Sequence, residues 1–201
     1  MSEIVLEGVT KTFADGYEAV TVLSADCVGI NQLGSQFLPS EMVQLMNDIF
    51  SGFDWLVDVH GLVRIKTFGD NYMVVGGAPT PRPDHASGVA EMALEMLRIT
   101  HRFNTRNGVD FHIRIGISTG AVMAGIIGRK NFFYHMWGPA VDTATQMEST
   151  GAPDTIQVSA STYQLLKDHY DFEERAAMEI KGQGWATPHS LIGRIKPAKK
   201  A

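Results

Sequence analysis

The sequence predicts an α+β fold, a ferredoxin-like βαββαβ sandwich with C-terminal extensions. Three observations carry this expectation. A β-branched apolar run precedes a long segment with apolar residues at helical spacing, two short apolar runs then flank a Gly-Asp turn signal, and a second amphipathic segment leads into an alternating strand. The order is strand, helix, strand, strand, helix, strand.

Taken in turn, residues 1–16 lack a clear period and read as a lead-in, residues 17–195 as one domain, and residues 196–201 as a basic tail. "AVTVLSAD" (Ala19 to Asp26) reads as a buried strand with Asp26 at its C-terminal end. Ser40 is the expected N-cap of a helix over "EMVQLMNDIFSGFDWLVDVHG". Its apolar positions are Met42, Leu45, Met46, Ile49, Phe53, Leu56 and Val57, and Gly61 closes it. "LVRIKTF" and "NYMVVGG" form a hairpin with Gly69-Asp70 at the turn. Pro79, Pro81 and Pro83 break the chain before the helix "DHASGVAEMALEMLRITHRFN". In "DFHIRIGISTG", Phe111, Ile113, Ile115 and Ile117 alternate. Beyond it lie the glycine-rich "GAVMAGIIG", an aromatic strand "NFFYHMWG", a helix from Pro139 to Ser149, and a strand then helix in "IQVSASTYQLLKDH". Two last strands, "DFEERAAMEI" and "ATPHSLIGRI", are joined by "KGQG".

The 201 residues are 44% hydrophobic and 19% charged, enough to bury one sizeable core. The formal net charge of -5 argues against nucleic acid or an acidic membrane surface as partner, since both need a basic face. It disfavours an RNA-binding module of the same fold, as does the lack of an aromatic-basic strand pair. A single cysteine, Cys27, excludes an internal disulfide. No apolar run is long enough to span a bilayer, so no membrane segment is expected in this chain. The expected location is cytoplasmic, any anchor lying in a longer protein.

In a βαββαβ sandwich the first strand neighbours the third, so Asp26 and Asp70 should converge. Two carboxylates on adjacent loops, without a His or Cys cluster to favour zinc, suit a hard cation, Mg²⁺ or Mn²⁺. Such ions commonly organise a nucleoside triphosphate. The structural alternative is that Asp70 supplies a turn and Asp26 caps the next segment. The small residues of "ADCVGI" would let backbone N–H groups approach phosphate oxygens.

"VTVLSADCVGI", "GLVRIKTFGDNYMVVGGAP", "IRIGISTGAVMAGIIG", "FFYHMWGPAVDTATQMES", "IQVS" and "IKGQG" follow one another in an order and spacing that resemble the catalytic domain of class III nucleotidyl (adenylyl/guanylyl) cyclases. The likeness runs from about Tyr17 to Ile195. It looks closest to bacterial membrane-anchored adenylyl cyclases similar to mammalian ones. The resemblance implies two domains paired head to tail, as homodimer or heterodimer, with triphosphate in the cleft between them. It implies two metal ions per active site on Asp26 and Asp70, and a phosphate loop of Cys27, Val28 and Gly29. It also implies Lys66 as the base-reading lysine, and Arg114 and Lys181 as cations against the triphosphate. The ribose 3′-OH would attack the α-phosphorus and release pyrophosphate, giving a 3′,5′-cyclic nucleotide, with cAMP from ATP the expected pair.

Three positions depart from the family pattern. His135 stands where active members usually have an Asp that reads adenine, Asp142 where they have an Asn that orients the ribose, and Gln146 where they have an Arg on the α-phosphate. A glutamine cannot supply positive charge to a developing pentavalent phosphate, and losing one preorganised donor typically costs roughly 100- to 1,000-fold in rate. A carboxylate at 142 repels a polyanion. Ser24 and Cys27, where the family often has Phe and Ile, alter packing more than chemistry. The expectation is a slow cyclase. Its rival is a catalytically weak or inactive cyclase-homology domain that binds metal-nucleotide and pairs with a complete partner.

Overall fold

The computed structural model describes residues 11–12, 20–30, 34, 36–68, 70–127 and 133–195. The expected lead-in is described only at β1 (Lys11–Thr12), and the tail at 196–201 lies outside the described residues. The βαββαβ core is β2 (Val20–Val28), α1 (Pro39–Val59), β3 (Val63–Phe68), β4 (Asn71–Gly76), α2 (His85–Asn107) and β5 (His112–Gly120). After it come β6 (Met123–Ile127), β7 (Phe133–Trp137), α3 (Pro139–Thr150), β8 (Ile156–Val158) and α4 (Ala160–Leu166). The chain ends in β9 (Tyr170–Glu174), β10 (Met178–Ile180), β11 (Gly184–Ala186) and β12 (His189–Arg194).

Seven strands form one sheet in the order β3-β4-β2-β5-β8-β12-β9, with β1-β6-β7 and β10-β11 as smaller sheets. Only the β5–β8 pair is parallel among the described residues. The two-residue period of β2 and β5 sorts their side chains onto two faces. Leu23, Ala25 and Cys27, with Ile113, Ile115 and Ile117, join α1 and α2 in the larger core. Val20 and Val22 face the other way and pack with Ala140, Val141 and Ala144 of α3 and with Val122 and Met136. Each such fully buried aliphatic or aromatic side chain contributes about 1.5–3 kcal/mol, so the face under α1 and α2 holds most of the stability. The α3 face is thinner, and polar residues enter it.

Three expectations shift. The first helix starts at Pro39 with Leu38 at the N-cap, so Ser40 lies inside the first turn. Glu41 takes the capping role by accepting from the Leu38 N–H at 2.8 Å, and proline fits the first turn because it has no N–H to leave unpaired. The strand carrying Asp26 continues two residues past it to Val28. "DFEERAAMEI" is two strands: β9 pairs with β12 in the main sheet, while β10 pairs with β11 across the "KGQG" turn.

Candidate active site

Asp26 lies on the α3 face of β2, in phase with Val20, Val22 and Ser24. The register sets Asp26 opposite Asn71 on β4 and opposite Arg114 on β5. Asp70, at the turn before Asn71, therefore stands beside Asp26 at one end of the sheet. A hydrogen bond from Asn71 Nδ2 to Ser24 Oγ, 3.0 Å, ties that turn to β2. Cys27, Val28 and Gly29 continue from Asp26 along β2, and Gly29 has φ of 87°, a conformation that favours glycine. Cys27 is buried, and burial together with the Asp26 and Asp70 charges pushes its thiol up, so it is no nucleophile.

Arg114 is expected to face a triphosphate, but here it is held by protein carboxylates. Its Nη2 donates to Asp26 Oδ2 at 2.6 Å and lies 3.4 Å from Glu148 Oε1, while Nη1 donates to Ser149 O at 3.3 Å. Glu148 was not singled out from the sequence. It is 4% exposed, its Oε1 makes no hydrogen bond, and burial and then the Asp26 charge push its carboxyl up to about 7. Its signal was legible: a carboxylate in line with Ala140, Ala144 and Met147 on the buried stripe of α3. Asp26 and Glu148 share one guanidinium, and the Asp70 charge adds to those that push the Glu148 carboxyl up. That excess of negative charge is the environment a hard divalent cation would relieve, and Asp26 and Asp70 are the residues that could hold one. Among the described residues, no group of three or more His, Cys, Asp or Glu is arranged to hold a metal. Further donors would have to come from backbone or substrate.

A pH dependence follows for metal-free protein. Glu148 binds its proton more tightly folded than unfolded, so between pH 4.5 and about 7 the folded state carries more protons and stability falls as pH rises. Glu148→Gln should remove that fall. Urea midpoints measured with chelator from roughly pH 5 to 8 should show wild type losing ground to the variant; parallel curves would contradict the burial argument.

The remaining sequence-predicted residues lie elsewhere. Lys66 is in β3 opposite Met73, just past a register shift after Arg64. His135, on β7, stacks on Trp137 with ring centroids 5.6 Å apart. Asp142 is exposed in the first turn of α3, whose N-cap Gly138 sits against Ala121 and Val122, next to Gly120 at the far end of β5. Asp142 lies six residues before Glu148 on α3, about 9 Å along the helix axis, so it is set apart from the Asp26–Arg114–Glu148 cluster along the α3 face. Gln146 does not face an open cleft. Its amide is engaged with the backbone of the β10–β11 hairpin, donating to Glu179 O at 2.6 Å and accepting from Lys181 N at 3.0 Å.

The family model of the adenylate and guanylate cyclase catalytic domain matches residues 13–193. The chain belongs to this family. An adenylate cyclase of Mycobacterium tuberculosis is 41% identical over 194 residues, 96% of this chain and 44% of that protein. A membrane guanylyl cyclase of Dictyostelium discoideum is 39% identical over 184 residues, 92% of this chain and 12% of that protein. The cyclase domain thus spans less than half the length of these curated relatives. The guanylate cyclase domain of Catenaria anguillulae, solved in complex with GTP, superposes with a TM-score of 0.84 at 33% identity, covering 90% of this chain and all of that one. The cyclase fold expected from the six motifs is therefore the fold found. Among the described residues, no helix is long and apolar enough to cross a membrane.

Proposed function

We propose that this domain converts a nucleoside triphosphate, ATP, into a 3′,5′-cyclic nucleotide and pyrophosphate at a dimer interface, slowly and in the cytoplasm. The observation that carries the reading is the pairing of β2 with β4, which sets Asp26 beside Asp70 at the head of the Cys27–Gly29 backbone. The relatives include an adenylate cyclase at 41% identity and a guanylyl cyclase at 39%, so the choice of ATP is the part of the reading that turnover of each triphosphate decides. When bound, two Mg²⁺ or Mn²⁺ ions on Asp26 and Asp70 would lower the pKa of the ribose 3′-OH and offset phosphate charge. The 3′-oxygen forms a bond to the α-phosphorus, the bond from that phosphorus to the β-phosphate oxygen breaks, pyrophosphate leaves, and the hydroxyl proton passes to solvent. Cys27, Val28 and Gly29 follow the phosphates with backbone N–H groups. Lys66 reads the base, and Lys181 and a released Arg114 face the triphosphate.

The separation of Asp142 from Asp26 along the α3 face supports a paired site, in which each domain offers Asp26 and Asp70 to substrate while its partner offers His135, Asp142 and Lys181. Isologous pairs are the commonest such assembly. The second reading, a weak or inactive domain that binds metal-nucleotide and pairs with a complete partner, is favoured by the engagement of Gln146 with the hairpin.

The deciding experiment is turnover of each of the four triphosphates with Mn²⁺ by the purified chain. The expected result is slow cAMP formation with equimolar pyrophosphate; no cyclic product from any triphosphate would leave the second reading. The chain should also dimerise in sedimentation at high micromolar concentration, and a strict monomer would count against a homodimeric site.

A further inference from the structure

The β10–β11 hairpin carries Lys181 and is anchored at few points: Ile180 is buried, and Met178 Sδ accepts from Thr150 Oγ1 at 3.7 Å and from Gln157 Nε2 at 3.9 Å. Among the described residues it forms no strand pairing with the seven-stranded sheet, and a lone two-stranded hairpin is marginal in water. Nor does it lie flat on α3, because a cavity of about 320 Å³ bordered by Thr143, Met147, Ile180 and Gln183 runs between them. Two glutamines bridge the gap. Gln146 donates to Glu179 O at 2.6 Å and accepts from Lys181 N at 3.0 Å, and Gln183 Nε2 donates to Thr143 Oγ1 at 2.7 Å. A carboxamide is the side chain suited to the first bridge, since it presents a donor and an acceptor side by side to the two backbone groups that flank Ile180. An arginine has only donors, so it would confront the Lys181 N–H with another N–H.

We infer that Gln146 is a positioning residue for Lys181: it clasps the hairpin to α3 and holds the lysine on a fixed backbone, in place of a direct contact with substrate. This rests on the proposed reading in one respect, that Lys181 faces a bound triphosphate. A consequence is that putting arginine at this position, the change that would restore the family pattern, breaks the clasp. Gln146→Arg alone should therefore weaken nucleotide binding.

The test has two arms. In nucleotide-free protein, NMR amide exchange at Lys181 should quicken at least about tenfold in Gln146→Met and Gln146→Arg, because the N–H loses its acceptor. Unchanged exchange in Gln146→Met would overturn the clasp, and this arm does not depend on any ligand. In the second arm, affinity for Mn²⁺ with 3′-deoxy-ATP, which cannot react, is measured for Gln146→Met, Lys181→Ala and the double variant. Non-additive losses, the double binding no more weakly than Lys181→Ala, are expected; additive losses would overturn action through Lys181. If wild type bound no nucleotide while the exchange result held, the proposed function would fail and the clasp would stand.

Discussion

Asp26→Asn is expected to lower Mn²⁺-dependent turnover by about 1,000-fold while leaving the fold intact. Metal ions at a phosphoryl centre supply several kcal/mol of charge stabilisation, and each 1.36 kcal/mol is a factor of ten in rate. Retention of the fold follows from the local charges. Asp26 is the closest partner of Arg114 at 2.6 Å, but Glu148 waits 3.4 Å from the same nitrogen. The Asp26 charge is also one of the forces holding the Glu148 carboxyl up near 7. Removing that charge lets Glu148 ionise and take over the guanidinium, so the half-buried cation keeps a partner. Asp70→Asn removes the second carboxylate from an exposed turn and should cost comparable activity with less effect on stability. Turnover, calorimetric affinity for Mn²⁺ with 3′-deoxy-ATP, and thermal midpoints for both variants provide the check. Activity within tenfold of wild type would remove the metal assignment, and an unfolded Asp26→Asn would contradict the reserve role of Glu148.

The contrast between what was legible and what was not has a physical basis. Period-two alternation in β5 and helical spacing in α1 are local signals, and they placed Ile113, Ile115, Ile117, Phe53 and Leu56 in the core where they are found. The meeting of Asp26 and Asp70 also followed, because strand neighbours in a βαββαβ sandwich fix it. Contacts made through long side chains did not follow. Whether Arg114 reaches a carboxylate or a phosphate depends on the cross-strand register and on α3 above it, and no local pattern encodes either. Gln146 read as a lost cation because its own contacts, 33 and 35 residues away in the chain, belong to a hairpin whose strands were assigned differently from the sequence. Ser40 has the hydroxyl that favours an N-cap, but Pro39 and Glu41 set the start of the helix earlier, with Leu38 at the N-cap.

The second large effect is expected at a residue with no side chain. Gly116 lies on β5 between Arg114 and Ser118, on the face covered by α3. A Cβ there would fall inside van der Waals contact with the Ala144 carbonyl oxygen and the Glu148 backbone nitrogen. Backbone atoms of a helix cannot rotate out of the way as a side-chain tip can, so α3 as a unit must lift. Overpacking of this kind costs about 3 kcal/mol at the upper end of its usual range. For a domain of this size that corresponds to a fall in midpoint of roughly 6–12 °C. The loss should not be confined to stability, because α3 holds Glu148 against Arg114 and Gln146 against the hairpin. Gly116→Ala should therefore also quicken Lys181 amide exchange at temperatures where the protein is still folded. Thermal and urea midpoints, with exchange measured well below the midpoint, decide the matter. A midpoint within two degrees of wild type, with Lys181 protection unchanged, would mean that α3 does not rest on the β5 backbone as closely as the geometry requires, and that the placement of both Glu148 and Gln146 has another cause.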